Sequence, residues 1–349
     1  MERKDTSGSI VNDQEFSTVD VREATEKKIA ELKVEAQKIY DMDLLSFQKG
    51  ELLAPIYEEL EGLLIKPREQ LAQLMKEIAS LPSLKDVFRA YPFNDFGFEN
   101  EFLRNSWKDF SKNEEHPFYE VITKEFIEEF SNFIAGELDR LDDKSQSPVQ
   151  ILEVGAGDGK LAYHLRRLLH EKGLDIEYHA VDPGVDDDEQ REKYTIPPIG
   201  ENVVQMDYHV ALKEYSPQIV IESWMPPGRD FSQDFRDTAS VQSYVLIGPP
   251  YDTGTPQTWG ITKEQVQDLQ EEQPYLSDAR SIRIAASAAH PYLIDREEFV
   301  FDGFSMSPGP QELEDLQISR AKDYHVGDPT EIHIFRRNEN QEYLENHSV

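Results

Sequence analysis

The sequence of 349 residues predicts a doubly wound α/β domain on a mostly parallel seven-stranded sheet, preceded by a helical extension. Three observations carry this expectation. From Val149 onward, short runs that are apolar throughout alternate with helical or turn segments, as strands do when helices cover both faces of a parallel sheet. One such run leads through closely spaced glycines into an amphipathic helix. Upstream of Leu141, apolar residues recur instead at helical spacing.

A chain of this length exceeds the size at which one core stops growing, so a main domain with an appendage is expected. Residues 1–18 and 338–349 are polar and aperiodic and are expected as disordered tails, residues 19–117 as a helical and aromatic-rich extension, and residues 118–337 as the main domain. Within the extension, Ile29, Leu32, Ala36 and Ile39, then Leu52, Leu53, Ile56 and Leu60, then Leu71, Leu74, Met75 and Ile78 predict several amphipathic helices. Pro67 suits the first turn of the last one. The stretch from Phe88 to Phe110 is dense in aromatics but broken by Pro92 and Gly97. It reads either as an irregular segment anchored by its rings or as a lid over a ligand pocket.

Phe118 to Leu141 reads as a helix with a stripe of Phe126, Phe130, Phe133, Ile134 and Leu138, and Asp142 to Pro148 as a polar linker. The strand runs are Val149 to Val154, Ile176 to Val181, Val203 to Met206, Gln218 to Ile221 and Tyr244 to Ile247. Thr262 to Gln270 reads as the helix after the fifth run. Phe299 to Phe301, Leu313 to Ile318 and Glu331 to Phe335 read as closing strands.

Composition narrows the function classes. A formal charge of −33, from 69 acids against 36 bases, repels phosphate backbones, and no basic run offsets it. Nucleic acid and anionic membrane are therefore not expected as partners. The chain has no cysteine, which removes disulfides, thiolate nucleophiles and cysteine-ligated metal. No run of 18 apolar residues occurs, so a cytoplasmic location is expected, with the nucleus as the alternative.

The segment Ile151-Leu152-Glu153-Val154-Gly155-Ala156-Gly157-Asp158-Gly159 follows a strand and opens the helix Lys160 to Glu171, which Gly173 stops. Alternate glycines let the backbone turn sharply and approach a ligand. A dinucleotide fingerprint needs glycine at the first, third and sixth positions, whereas Lys160 holds the sixth here, so NAD is disfavoured. Glu153-x-Gly155-x-Gly157-x-Gly159 resembles motif I of class I (Rossmann-like) S-adenosylmethionine-dependent methyltransferases. The resemblance implies a loop of Gly155, Ala156, Gly157, Asp158 and Gly159 around the methionyl part of that cofactor, with Glu153 meeting its ammonium. It further implies Asp182 on the ribose hydroxyls, Asp207 and Tyr208 bracketing the adenine, and a reaction centre after the fourth strand, from Glu222 onward.

Methyl transfer from a sulfonium neutralises charge, so a dry and aligned pocket can suffice without a general base. His209 and Glu222 are the candidates for a base. Trp224, Tyr251 and Trp259 lie just beyond strand ends and are candidates for substrate contact, with core burial as the competing role. Two Pro-Pro stretches, Met225 to Gly228 and Gly248 to Tyr251, each miss part of the pattern of amino-group methyltransferases. No histidine pair has metal-ligand spacing, and Asp186 to Glu189 lacks the interleaving of a calcium loop, so no metal is expected. The expected activity is methyl transfer to a small-molecule acceptor, oxygen or nitrogen. A protein-directed methyltransferase and a catalytically silent docking protein stand as alternatives. The oligomeric state is left open.

Overall fold

The computed structural model describes residues 13–40, 42, 46–90, 120–141, 148–184, 199–248, 253–259, 267–268, 271, 299–302, 318–319 and 331–337. They fall into two compact units, the first formed by residues 1–72 and 86–101, the second by 73–85 and 102–349.

The first unit holds helix α1 (Asp13–Tyr40), α2 (Ser46–Lys76) as far as residue 72, and most of α3 (Leu84–Ala90). Of the periodic pattern, Ile29, Leu32, Ala36 and Ile39 on α1 and Leu53, Ile56, Leu60 and Leu71 on α2 are buried; Leu52 is exposed, and Leu64, outside the pattern, is buried as well. Pro67 does not start a helix as its position suggested. Pro55 and Pro67 both lie inside one continuous α2. An interior proline costs about 3 kcal/mol of helix stability, and the unbroken buried stripe on either side of each proline offsets it.

The second unit holds a mostly parallel α/β sheet with helices on both faces. Strands β2 (Val149–Val154), β3 (Ile176–Asp182), β4 (Val204–Gln205), β5 (Ile219–Ser223) and β6 (Ser243–Gly248) pair in parallel in the order β4-β3-β2-β5-β6. β9 (Glu331–Arg337) and then β7 (Phe299–Asp302) continue the sheet in antiparallel pairing. Helices cover both faces. Ile151, Ile219, Ile221, Val245 and Ile247 meet α4 (Lys124–Arg140) and α5 (Lys160–Glu171) on one side. Leu152, Val154, Val220, Tyr244 and Leu246 meet α6 (Tyr208–Tyr215) and α7 (Ser232–Asp237) on the other. Consecutive strand residues thus feed opposite cores, which is why the runs are apolar without alternation.

Two expectations are corrected. The helix expected from Phe118 begins at Lys124, because the Thr123 hydroxyl caps the amide of Phe126 at 3.1 Å and the chain ahead of it is strand β1 (Glu120–Val121). The run Leu313 to Ile318 does not enter the large sheet where described: β8 (Ile318–Ser319) pairs with β1. The linker Asp142 to Ser147, most of the aromatic stretch, and nearly all of the helix expected at Thr262 to Gln270 lie outside the described residues.

The chain leaves β2 towards β3 and β4 on one side and returns through β5 and β6 on the other, so strand order reverses between β2 and β5. In open α/β sheets, ligands bind at the carboxyl ends of strands at such a reversal. The glycine loop and Trp224 both lie there.

Candidate functional site

β2 delivers Glu153 and Val154 between β3 and β5 and passes directly into the loop. Gly155, Gly157 and Gly159 have φ of +67°, +52° and +73°, left-handed values that glycine adopts without steric cost. The loop is bonded from several sides. Ala156 N–H donates to Val181 O at 3.0 Å and Gly157 N–H to Asp182 Oδ2 at 3.0 Å. Gly200 N–H donates to Gly157 O, and Asn202 Nδ2 to Gly159 O, each at 3.0 Å. A Cβ on Gly155 would meet nothing within 4 Å, so its backbone faces open space.

That space is part of a cavity of about 100 Å³, well below the 300–1,000 Å³ typical of sites that enclose a drug-sized ligand. It can take the end of a larger ligand. Glu153, Gly155, Ala156, Gly157 and Asp158 form one side, Ser223, Trp224 and Ile247 another, and Met75, Ile122, Phe126, Lys160 and Leu161 the rest.

Glu153 is 2% exposed. Burial pushes its carboxyl up to about 8, with Asp158 and Asp182 pushing the same way, against a 2.6 Å hydrogen bond donated by the Tyr178 hydroxyl. The cavity therefore carries a carboxyl that is costly to ionise unless a cation joins it.

Other sequence candidates have different surroundings. Asp182 accepts from Gly157 N–H through Oδ2 and from Gly184 N–H at 2.7 Å through Oδ1, so its carboxylate braces the loop at the end of β3. If Asp182 also accepts from the hydroxyls of a ribose, as the resemblance implies, Asp182→Ala should weaken binding of that ligand by about 1.5–3 kcal/mol, tenfold or more in Kd. Because two loop amides also lose their acceptor, melting temperature should fall with it; calorimetry and thermal melts on one preparation check both.

Asp207 is the N-cap of α6, its Oδ1 accepting from His209 N–H and meeting His209 Nδ1, both at 2.9 Å. The His209 ring lies against Tyr208 with centroids 3.9 Å apart, and Tyr208 donates to Asp234 Oδ2 at 2.6 Å. His209 is exposed and does not line the cavity. Glu222 is buried on the opposite face of β5, and burial holds its carboxyl well above the ordinary range despite a hydrogen bond from Met225 N–H. Trp224 lines the cavity, whereas Trp259 stands against the other core, its Nε1 donating to Thr253 O at 2.9 Å and its ring edge-on to His333. Tyr251 lies outside the described residues. Among the described residues, no group of three or more His, Asp or Glu is placed to hold a metal, and no helix is long and apolar enough to cross a membrane.

Several site residues escaped the sequence reading. Lys160 is 3% exposed and donates from Nζ to the carbonyls of Leu74 (2.8 Å) and Met75 (3.0 Å). Burial lowers its ammonium to about 8. Gly200 has no room for a side chain, since its Cβ would sit 1.9 Å from Asp158 O. Tyr178 had a signal: it shares the period of Ile176 and Ala180 on a strand beside Glu153. Met75 and Phe126 had none, because their own helices account for them equally well, and Ile122 had none because it lies between β1 and α4.

The sequence matches no protein-family model and no curated protein. Among solved structures, the chain is similar to the CMeT domain of the citrinin polyketide synthase, at 14% identity over 81% of this chain and 69% of that one, with a TM-score of 0.33. It is also similar to the plantazolicin methyltransferase BpumL in complex with SAH (12% identity, 79% and 99% covered, TM-score 0.27). A third is an O-methyltransferase from Thermotoga maritima (14%, 60% and 64% covered, TM-score 0.27). The likeness is slight in backbone and sequence alike.

Proposed function

We propose that this chain is an S-adenosylmethionine-dependent methyltransferase acting on a small-molecule acceptor. The observation that carries the reading is Glu153: a buried carboxyl on the wall of a cavity, behind three left-handed glycines, at the reversal of strand order. A dinucleotide would bring a pyrophosphate to Glu153, Asp158 and Asp182. A methionine nucleoside brings an ammonium and a sulfonium, which this acidic, largely apolar cavity complements.

When bound, the cofactor supplies an electrophilic methyl group on positively charged sulfur. The protein's part is to bind, orient and exclude water. Glu153 would hold the ammonium, giving up its proton to solvent as it ionises, and Gly155 and Gly157 would let backbone come close. Asp182, already fixed by two amides, presents its remaining lone pairs to the ribose, and Asp207 and Tyr208 stand at the carboxyl end of β4 for the adenine. Phe126, Ile122, Met75 and Trp224 line the same cavity and would enclose methyl and acceptor, and alignment in a dry site would supply the acceleration.

Trp224 has a second mark of function. Its φ is +63°, a strained value for a bulky residue, locked by its N–H donating to Ile247 O at 2.7 Å. Such strain amounts to about 1–3 kcal/mol and gathers at functional sites. Trp224→Ala should melt near wild type, keep cofactor affinity and lose methyl transfer, since the ring sets alignment. Trp224→Gly should be equally inactive yet melt higher than Trp224→Ala, because glycine relieves the backbone. A fall of about 3–5 kcal/mol in stability with parallel loss of cofactor would assign the ring to the core.

The experiment that tests the activity is untargeted. With methyl-labelled cofactor and a cell extract, label is expected in small molecules. Label confined to protein points to a protein acceptor, and none at all removes the enzymatic reading.

A further inference from the structure

The last turn of α2 and the residues after it belong with the second unit, and their backbone carbonyls end on one face of α5. A helix leaves its final four carbonyls without intrahelical partners. Here Gln73 O accepts from Glu77 N–H, while Leu74 O and Met75 O accept from Lys160 Nζ. One turn further along α5, His164 Nε2 lies 2.8 Å from Ile78 O. A carbonyl only accepts, so Nε2 carries the proton, which leaves His164 Nδ1 as a bare acceptor. That Nδ1 is buried and has no hydrogen-bond partner among the described residues. An apolar side chain would fill the same space without stranding an acceptor, so the imidazole is explained by what Nε2 holds.

Lys160 and His164 are four residues apart and so stack on one face of α5. Lys160 directly follows the last glycine of the loop, and both Lys160 and Met75 line the cavity.

We propose that Lys160 and His164 are a two-point latch that holds residues 74–78 at the cavity, making Lys160 the positioning residue for Met75. The ligand-binding arm of this proposal rests on the cofactor reading above; the backbone arm does not. Loop and Met75 wall are then one mechanical piece. Anything that reshapes Gly157 to Gly159 moves Lys160, and Lys160 moves the wall.

The test uses the full-length chain and four variants: Lys160→Met, which keeps the stem and removes the donors, Lys160→Arg, which restores donors, His164→Leu and Met75→Ala. Hydrogen exchange is followed on peptides covering residues 73–82, and S-adenosylhomocysteine affinity by calorimetry. Lys160→Met is expected to speed exchange at Glu77 to Ser80 and to weaken S-adenosylhomocysteine, each by about tenfold, the loss of a charge-assisted contact. Lys160→Arg should return both towards wild type. Met75→Ala should weaken the ligand without changing exchange. Should Lys160→Met fail to fold, His164→Leu reads the same segment and should speed its exchange. Unchanged exchange in Lys160→Met or His164→Leu, or a Lys160→Arg as loose as Lys160→Met, overturns the latch. A wild-type chain that ignores S-adenosylhomocysteine while Lys160→Met still loosens residues 73–82 overturns the cofactor reading and leaves the latch standing.

Discussion

Gly200→Ala should disable the glycine loop. The added methyl would lie 1.9 Å from Asp158 O and 2.6 Å from its carbonyl carbon, a clash with backbone that no rotamer change relieves. The turn at residue 200 must withdraw, and withdrawal breaks the bonds from Gly200 N–H to Gly157 O and from Asn202 Nδ2 to Gly159 O. Overpacking costs about 1–3 kcal/mol and each lost hydrogen bond about 0.5–1.5 kcal/mol. Stability should fall by about 2–6 kcal/mol, and on the proposed function affinity for the cofactor should fall by about 100-fold, since that reading gives the loop the contacts. Gly155→Ala is the control. Its methyl meets open space, so the folded protein bears only the left-handed strain of about 1–2 kcal/mol while the methyl obstructs the cavity. Thermal melts and calorimetry should find Gly200→Ala impaired in both readouts and Gly155→Ala chiefly in binding.

Glu137→Ala should lower stability by about 3 kcal/mol although Glu137 does not line the cavity. Glu137 is 4% exposed on α4, and its carboxylate takes two hydrogen bonds from Arg336 on β9, at 2.6 and 2.8 Å. The pair joins residues 199 positions apart, fastening the helix that carries Phe126 to the antiparallel strand. Removing the carboxylate takes two charge-assisted hydrogen bonds from a guanidinium that is only 16% exposed, and breaking a buried pair of this kind costs about 3–5 kcal/mol. The lower end applies, because Arg336 retains some access to water. Arg140 also approaches Glu137, at 3.9 Å, but is 59% exposed, so Arg140→Ala should cost under about 1 kcal/mol. Glu137→Leu combined with Arg336→Met should recover most of the loss, since the charge and its partner go together. Urea titration of the three variants beside wild type decides it.

The sheet was readable in the sequence because strands covered on both faces are apolar throughout, and only a parallel sheet between helices asks for that. Ile219 and Val220, neighbours in sequence, face different cores. The glycine loop was readable for a similar reason: left-handed backbone at Gly155, Gly157 and Gly159 restricts residue choice locally. What escaped was long-range. Nothing near Lys160 indicates that its ammonium closes a helix end 85 and 86 residues upstream, and nothing near Gly200 indicates that Asp158 O fills the space beside it. Strand ends were legible, but not which aromatic at a strand end turns towards the cavity. Trp224 does and Trp259 does not, because β5 borders the reversal of strand order whereas Trp259 stands against the opposite core. Pro67 misled because a local rule for helix starts yields to a buried stripe running past it on both sides.

Glu153 allows the central claim to be tested with one titration series. Its folded value of about 8 lies above the ordinary value of a carboxyl in an unfolded chain, about 4.3. Between these two pH values the folded state holds a proton that the unfolded state releases, so this group makes the free protein less stable as pH rises from about 4.3 to 8. A cation beside the carboxylate favours the ionised form, so its affinity should rise over the upper part of that range, by up to about tenfold per unit, and level off above 8. Glu222, buried on the other face, shifts the stability curve in the same direction but does not meet the ligand. Calorimetric titration of S-adenosylmethionine from pH 6 to 9, with NAD in parallel and Glu153→Gln as the comparison, is the most direct measurement. Binding of S-adenosylmethionine that strengthens to about pH 8, a pH-independent and weaker Glu153→Gln, and much weaker NAD is the predicted result; preference for NAD, no binding of either, or the same pH dependence in Glu153→Gln would contradict it.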